Sequence, residues 1–338
     1  MVLVTGGAGF IGSHTVVELM SAGYDVHIAD NFSNSTTGVI ERIERIVERP
    51  VPFSTLDVRD FDQLNRLFAT HHFDSVIHFA GLKSVGESVS APLIYYDNNV
   101  CGSLTLFKAM QANNVRHLVF SSSATVYGDP HAIPIKENFP LAPTNPYGRT
   151  KLVVEDVLRD VASSGQEWSI ALLRYFNPIG AHKSGLIGER PMGIPNNLMP
   201  YVTQVAAGAL KELSVFGADY KTIDGTGVRD YIHVADLAEG HVAALKTISR
   251  REGVITVNLG TGRGHSVLEV VRAFEATSGR AVPYRVTNRR QGDVAECYAD
   301  TTLANEVLGW RANRGLEEMC RDAWRWQTTG ALAMNPDA

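Results

Sequence analysis

Along the first half of the chain, short unbroken apolar runs alternate with longer stretches whose apolar residues recur at helical spacing. Val2, Leu3 and Val4 form one such run, the pattern of a strand buried on both faces. Ile11, Val16, Val17, Leu19 and Met20 follow along one side of a helix. Gly23-Tyr24 stops that helix, and Asp25–Asp30 reads as a second strand. Val39, Ile40, Ile43, Ile46 and Val47 make 38–49 an amphipathic helix laced with charge, ended by Pro50 and Pro52. Phe53–Leu56 predicts a third strand, Phe61–Ala69 a helix, Ser75–Gly81 a fourth strand and Leu118–Phe120 a fifth. Pro92–Met110 predicts one long helix, and Tyr95, Tyr96, Val100, Leu104, Leu106 and Phe107 give it more apolar surface than one core face requires. Strand and helix in strict alternation predict a parallel, doubly wound sheet.

The second half is less regular. Residues 147–162 predict a helix, 180–200 a loop region rich in Gly, Pro and Asn, and 198–209 a further helix. Val234, Leu237, His241, Val242 and Leu245 predict a helix over Tyr231–Leu245. Ile255–Leu259 reads as a strand expected to rejoin the first sheet. Val267–Phe274 and Leu303–Trp310 predict helices, Trp324 and Trp326 read as packing anchors, and residues after Thr328 as a loose tail. The expected architecture is α/β: a Rossmann-like, doubly wound parallel sheet over 1–176, to which 230–260 returns, and a smaller α/β domain over 177–338. There is no internal repeat and no low-complexity segment.

Composition narrows the classes. The 338 residues are 44% hydrophobic and 20% charged, with formal net charge −5, so there is a sizeable core and no basic footprint for nucleic acid. Cys101, Cys297 and Cys320 are odd in number and lack metal-ligand spacing; they read as reduced thiols, and no metal is expected. No apolar run approaches membrane-spanning length. A strand at residue 2 leaves no room ahead of it for a cleavable leader, and a cytoplasmic protein is the expectation.

The candidate chemistry starts between the first strand and the first helix. Gly6, Gly9 and Gly12 fall there as G-x-x-G-x-x-G. Gly6 permits the tight turn, Gly9 admits a pyrophosphate to the backbone, and Gly12 lets helix and strand pack closely. An ordinary strand-to-helix turn is the bland alternative. Asp30 ends the second strand where an acidic side chain accepts from an adenosine ribose. Asn31, Phe32 and Ser33 offer no arginine for a 2′-phosphate, which favours NAD over NADP. Asp57 and Val58 are placed beside the adenine by position alone. Chemistry in such a sheet lies at the carboxyl ends of its strands, here 5–12, 30–35, 79–83 and 121–127. His71, His72 and His78 need no catalytic role; a histidine within an apolar strand is more often a hydrogen-bonded core residue. Tyr147 and Lys151 stand four apart on one helix face. An ammonium beside a phenol, with a cationic nicotinamide, favours the phenolate, and Ser123 at the end of the fifth strand can share the same substrate oxygen.

This set of glycines, Ser123, Tyr147 and Lys151 resembles the extended short-chain dehydrogenase/reductases. Longer strings resemble the branch of that family that epimerises UDP-hexoses at C4: V-I-H-F-A-G-L-K (76–83), Y-Y-D-N-N-V (95–100), F-S-S-S-A-T-V-Y-G (120–128), L-L-R-Y-F-N-P (172–178), G-I-P-N-N-L-M-P-Y (193–201) and D-G-T-G-V-R-D-Y-I-H-V (224–234). The resemblance implies reversible interconversion of UDP-galactose and UDP-glucose through a 4-keto sugar, with tightly held NAD that is not consumed and Tyr147 as base. By position it implies that Phe10, Ile11, Asp30, Asn34, Ser35, Asp57, Val58, Phe79, Ala80, Lys83, Asn98, Ser123, Tyr147, Lys151 and Phe176 line NAD. Lys83, Asn177, Asn197, Leu198, Phe216, Arg229, Arg290, Asp293 and Cys297 would face the UDP-sugar, with Arg229 and Arg290 on the diphosphate and Asp293 on the uridine ribose. Leu198 or Phe216 taken alone reads equally as core. The resemblance also implies a homodimer through helices 92–110 and 147–162.

Cys297 departs from the tyrosine of several bacterial relatives, and a small residue there leaves room for an N-acetyl group. Turnover of UDP-GalNAc and UDP-GlcNAc is therefore an added expectation; a cysteine filling a pocket closed by neighbouring loops is the alternative. The competing activities are a nucleotide-sugar 4,6-dehydratase, a dehydrogenase that releases NADH, and a non-catalytic NAD-binding regulator. A dehydratase needs acids beside Thr125, where the loop reads Ser123-Ala124-Thr125-Val126. A regulator has no need of Ser123, Tyr147 and Lys151 together.

Overall fold

The computed structural model describes residues 1–165, 167–191, 193–290 and 292–331. The chain opens with β1 (Val2–Thr5), α1 (Phe10–Ser21), β2 (Val26–Asp30), α2 (Gly38–Val47), β3 (Phe53–Thr55), α3 (Phe61–Thr70) and β4 (Ser75–His78). It continues through α4 (Val85–Ser90), α5 (Pro92–Tyr95), a π-helical segment (Tyr96–Cys101), α6 (Gly102–Ala112) and β5 (His117–Ser121). Then come α7 (Pro146–Ser163), β6 (Ser169–Tyr175), β7 (Asn177–Ile179), α8 (Leu198–Ala206), β8 (Leu213–Phe216), β9 (Val228–His233), α9 (Val234–Ile248) and β10 (Gly253–Leu259). The remainder is β11 (Gly264–Ser266), α10 (Val267–Ser278), β12 (Tyr284–Thr287), β13 (Glu296–Cys297), α11 (Thr302–Leu308), α12 (Leu316–Arg325) and a last helical turn to Ala331.

Seven parallel strands form the central sheet in the order β10-β6-β5-β4-β1-β2-β3. Alternate side chains of each strand feed opposite faces. Val4, Ile28, Ile77, Val119 and Leu173 pack with α1, α2, α9 and α11. Leu3, Val76, Leu118, Phe120 and Ile170 pack with α3, α6 and α7. Burial on both sides is why these strands read as unbroken apolar runs. Because α9 packs on α1 and β10 pairs with β6, chain from beyond residue 230 completes the first layer.

A second group of elements sits over the carboxyl edge. There β9 pairs with β7, β11 and β13, and β8 pairs with β12. Its own core joins α8, α10 and α12 through Val202, Phe274 and Met319.

Three expectations need correction. Tyr231–His233 end a strand, and the helix begins at Val234; Tyr231 and His233 pair with Asn177 and Ile179 of β7, a partner no local periodicity reveals. The helix over 92–110 is interrupted by the π segment at 96–101. The tail after Thr328 stays helical to Ala331; residues 332–338 lie outside the described residues.

Candidate active site

The glycine turn closes on itself. A Cβ on Gly12 would lie 2.2 Å from the Gly6 carbonyl oxygen, and one on Gly6, at φ +68°, would lie 2.7 Å from the Ala80 nitrogen. Gly9 is less crowded: its Cβ would meet the Gly6 carbonyl oxygen alone, at a tight 3.3 Å. Gly9 is the N-cap of α1, and no side chain caps that helix. Its first-turn N–H groups and the positive end of its dipole are left for an anion. Phe10 and Ile11 begin that turn and are half-buried.

Asp30 is turned into the same corner. Its Oδ2 accepts from the Ala8 N–H at 3.0 Å, and its Oδ1 accepts from Phe32 N–H at 2.8 Å and from the Ser35 hydroxyl at 3.2 Å. A carboxylate has about four acceptor positions, so one remains for a ribose hydroxyl, and its charge opposes a phosphate there. Asn34 is exposed beside it. Asp57 is held by Arg59 and Asn31, whose hydrogen bonds, Arg59 first, pull its carboxyl down to about 2. Val58 is buried against Gly102. The cradle fits a dinucleotide with a free 2′-hydroxyl.

At the ends of β4 and β5 the chemistry gathers. Tyr147, in the first turn of α7, is pushed above the ordinary phenol range by burial, while the Ser123 hydroxyl pulls the other way. The downward shift expected from Lys151 is thus not built into the protein itself. Lys151 Nζ lies 5.9 Å from the Tyr147 ring centroid and donates to the Ser121 carbonyl at 2.7 Å. Burial lowers the Lys151 ammonium to about 8, opposed by Glu155. Ser123 Oγ accepts from Thr125 N–H at 3.2 Å and Thr125 Oγ1 at 2.9 Å; with both lone pairs engaged, its proton is free to donate outward.

Beneath this set Glu155 and Arg174 form a buried bidentate pair at 2.9 and 2.6 Å. The Ser122 hydroxyl donates to the same carboxylate. His78 is a core residue, bonded to Thr5 Oγ1 at 2.7 Å and to Ser103 Oγ at 2.9 Å.

The remaining expected residues fall into two groups. Arg229 NH2 approaches Asp293 Oδ1 at 3.9 Å, and the Arg290 guanidinium lies 3.9 Å from the Phe216 ring centroid. Cys297 sits opposite Arg229 in the β9–β13 ladder and packs against the cluster that includes Ala124 and Phe176, where burial raises its thiol to about 11. The other group lies toward β4: Phe79 against His241, with ring centroids 4.7 Å apart, then Ala80 and Lys83. Lys83 and Asn197 both reach Glu189. Asn177 is exposed at the start of β7, and half-buried Leu198 begins α8.

Three neighbours carry no sequence signal of their own. Asn98, in the π segment, donates to Asn99 Oδ1 at 3.0 Å. Asn99 ties Leu82 N–H and C=O to Thr150 of α7. Tyr175, hydrogen-bonded to Ser121, and Glu189 are the other two. The quoted string Y-Y-D-N-N-V was the available pointer to Asn99; nothing pointed to Glu189.

A dinucleotide cradle and a Tyr/Lys helix face, on a seven-stranded parallel sheet, define an extended short-chain dehydrogenase/reductase. Comparison with known proteins narrows the class. The family model described as GDP-mannose 4,6 dehydratase matches residues 3–323. The UDP-glucose 4-epimerase of Bacillus subtilis (strain 168) is 58% identical, with 97% of each chain covered. The crystal structure of UDP-glucose 4-epimerase from Stenotrophomonas maltophila, with bound NAD and formylated UDP-arabinopyranose, superposes with TM-score 0.96 at 55% identity, covering 98% of this chain and 99% of that one. That of the Bifidobacterium longum enzyme with NAD+ and UDP gives TM-score 0.95 at 54% identity, covering 98% of each. The chain belongs to the UDP-glucose 4-epimerase family.

Proposed function

We propose that this protein interconverts UDP-galactose and UDP-glucose through a 4-keto sugar, with NAD as resident cofactor. The observation that carries the reading is the Ser123/Tyr147/Lys151 set at the carboxyl edge, with Ser123 and Lys151 buried and Tyr147 half-buried, beside a glycine cradle with uncapped N–H groups. When bound, NAD supplies the hydride acceptor and a positive charge beside the phenol.

The first-turn N–H groups of α1 hold the pyrophosphate and Asp30 the adenosine ribose. Phe10, Ile11, Asn34, Ser35, Asp57, Val58, Phe79, Ala80, Asn98 and Phe176 complete the lining. Tyr147 Oη takes the proton of the sugar 4-hydroxyl and returns it, while Ser123 donates to the same oxygen. Burial disfavours a charged phenolate, so the Lys151 ammonium beside the ring offsets part of that cost. Arg229 and Arg290 grip the diphosphate, Asp293 accepts from the uridine ribose, and Phe216 supports the Arg290 guanidinium. Lys83, Asn177, Asn197 and Leu198 line the hexose end. UDP is held firmly and the hexose loosely, because both faces of the ring must reach the same cofactor.

On this reading, residues 1–176 with α9 and β10 are the cofactor lobe and the rest is the sugar lobe. Three free cysteines accord with a cytoplasmic setting, and no helix among the described residues is long and apolar enough to cross a membrane. Val85, Val89, Leu93 and Ile94 expose apolar side chains, Leu93 at 82%; a second copy covers them through helices 92–110 and 147–162. Cys297 packs against the cluster that includes Ala124 and Phe176; being smaller than a tyrosine, it is read as the residue that admits a 2-acetamido group. UDP-GalNAc should then turn over within about tenfold of UDP-galactose, and Cys297→Tyr should abolish only that activity; a thousandfold slower wild-type reaction would remove this extension.

The test uses purified protein and UDP-galactose with no added NAD, followed by chromatography. Formation of UDP-glucose without accumulation of reduced nicotinamide is the expected result. No conversion, even with NAD supplied, overturns the reading. Net NADH would favour the dehydrogenase. The loop Ser123-Ala124-Thr125-Val126 carries no carboxylate for a dehydratase.

A further inference from the structure

Glu189 lies outside every residue set assigned above, yet two members of the hexose end converge on it. Lys83 Nζ donates to Glu189 Oε1 at 2.7 Å, and Asn197 Nδ2 donates to the same oxygen at 2.6 Å. The three side chains come from the loop after β4, the loop before α8 and the N-cap of α8. The Glu189 side chain is only 9% exposed, and its second oxygen, Oε2, is buried with no hydrogen-bond partner. A carboxylate drawn out of water with one oxygen doubly engaged and the other bare is an unusual arrangement that calls for a missing donor.

Asn197 strengthens the case. Asparagine at an N-cap ordinarily accepts from N–H groups of the first turn, but no side chain caps α8. The amide is instead directed to Glu189. Holding the loop in place does not require the carboxylate. Trp326 Nε1 donates to the Glu189 backbone carbonyl at 3.0 Å, Gly188 is packed against the Trp326 ring, and Arg42 donates to the Leu186 carbonyl at 2.9 Å.

We propose that Glu189 belongs to the hexose pocket: Oε1 holds Lys83 and Asn197 in place, and Oε2 accepts a hydrogen bond from a hydroxyl of the sugar ring. The inference rests on the epimerase reading. Phosphate oxygens carry no proton to offer and are repelled by a carboxylate, so the diphosphate is not the partner. Asn197 and the Glu189 loop belong to the sugar lobe, which sets the hexose ahead of the nicotinamide ribose as the source of the hydroxyl. A single free acceptor also suits a ring that turns over, because successive hydroxyls can take it as the sugar rotates.

The test compares wild type, Glu189→Gln and Glu189→Asp as full-length, NAD-loaded protein. Kinetics are measured with UDP-galactose, UDP affinity by calorimetry, and NAD content after denaturation. Glu189→Gln should lower kcat/KM by about tenfold or more, mainly through KM, with UDP affinity and NAD content within about twofold of wild type. Glu189→Asp, which keeps the charge for Lys83, should recover part of the loss. On wild type, one of the 2-, 3- or 6-deoxygalactose nucleotides should show a similar loss, and with that substrate Glu189→Gln should add nothing further. Unchanged kcat/KM in Glu189→Gln, an equal loss in UDP affinity, or release of NAD would each overturn the proposal. If Glu189→Gln does not fold, the aspartate variant and the deoxy substrates decide it by the same criteria. If wild type fails to turn over UDP-galactose, the epimerase reading fails first; Glu189 is then judged by the affinity for UDP-galactose relative to UDP.

Discussion

At the scale of single residues, Tyr147 poses the sharpest question, because its surroundings oppose the state that the proposed role as base requires. Burial raises the phenol, and the Lys151 ammonium is itself lowered to about 8 and bound to a carbonyl. The phenolate is therefore scarcely populated until a further positive charge stands beside the ring. Tyr147→Phe removes the proton acceptor and nothing from the glycine cradle. It should reduce kcat by about 10²–10⁴-fold while NAD content stays at wild-type level; a variant with full turnover would dismiss Tyr147 as the base. Ser123, Tyr147 and Lys151 are legible in the chain because a strand end and an i, i+4 pair are local patterns. Glu189 and Asn99 are not. Their partners lie far along the sequence, from Lys83 to Glu189 and from Asn99 to Thr150, and no spacing encodes such a meeting.

At the scale of elements, α7 bears the proposed catalytic pair Tyr147 and Lys151 on one turn and a buried ion pair on the next. Glu155 is fully buried, paired with Arg174 of β6 and hydrogen-bonded by Ser122, so the ion pair fixes the helix against β6 and the Ser122 bond ties it to the end of β5. Removing one partner of a buried pair leaves the other charge uncompensated, at a cost of about 3–5 kcal/mol. Arg174→Met should lower unfolding stability in urea by that order; a loss under about 1 kcal/mol would show that the pair is not structural. The helix pair offers a second test. Leu93 is 82% exposed on α5, and Leu93→Glu should convert the expected dimer to monomer in light-scattering measurements. A wild-type protein that is already monomeric at micromolar concentration would end the dimer reading. The π segment between α5 and α6 is invisible to periodicity, since one extra residue per turn shifts the face without breaking the apolar pattern.

For the whole molecule, five buried histidines link stability to pH. Burial lowers His14 and His78 to about 3, and His27, His182 and His241 to about 4. Each is neutral in the fold and takes up a proton on unfolding once pH falls below 6.5. Their contribution is fully present above pH 6.5 and is lost progressively as pH falls toward 4 and then 3. The thermal midpoint should decline steadily as pH falls from 6 to 4. A midpoint equal at pH 7 and pH 5 would contradict the assignment.

Six of the seven strands of the central sheet follow from the sequence alone because their signals are local; β6 (Ser169–Tyr175), which joins β5 to β10, is the one that only the structure supplies. Buried parallel strands announce themselves as apolar runs, the covering helices as stripes, and the cradle as glycines where any Cβ would strike backbone. The second layer is different. Its strands are short, from two to six residues, and β12 is largely exposed, so neither a run nor an alternation marks them. Only the tertiary structure sets Arg229 by Asp293, Arg290 over Phe216 and Glu189 between Lys83 and Asn197. Each pairing joins side chains from separate loops or strands, brought together where the second layer packs over the carboxyl edge of the sheet. Contacts of that kind leave no period in a sequence, because what holds them is the packing of elements rather than the chain between them.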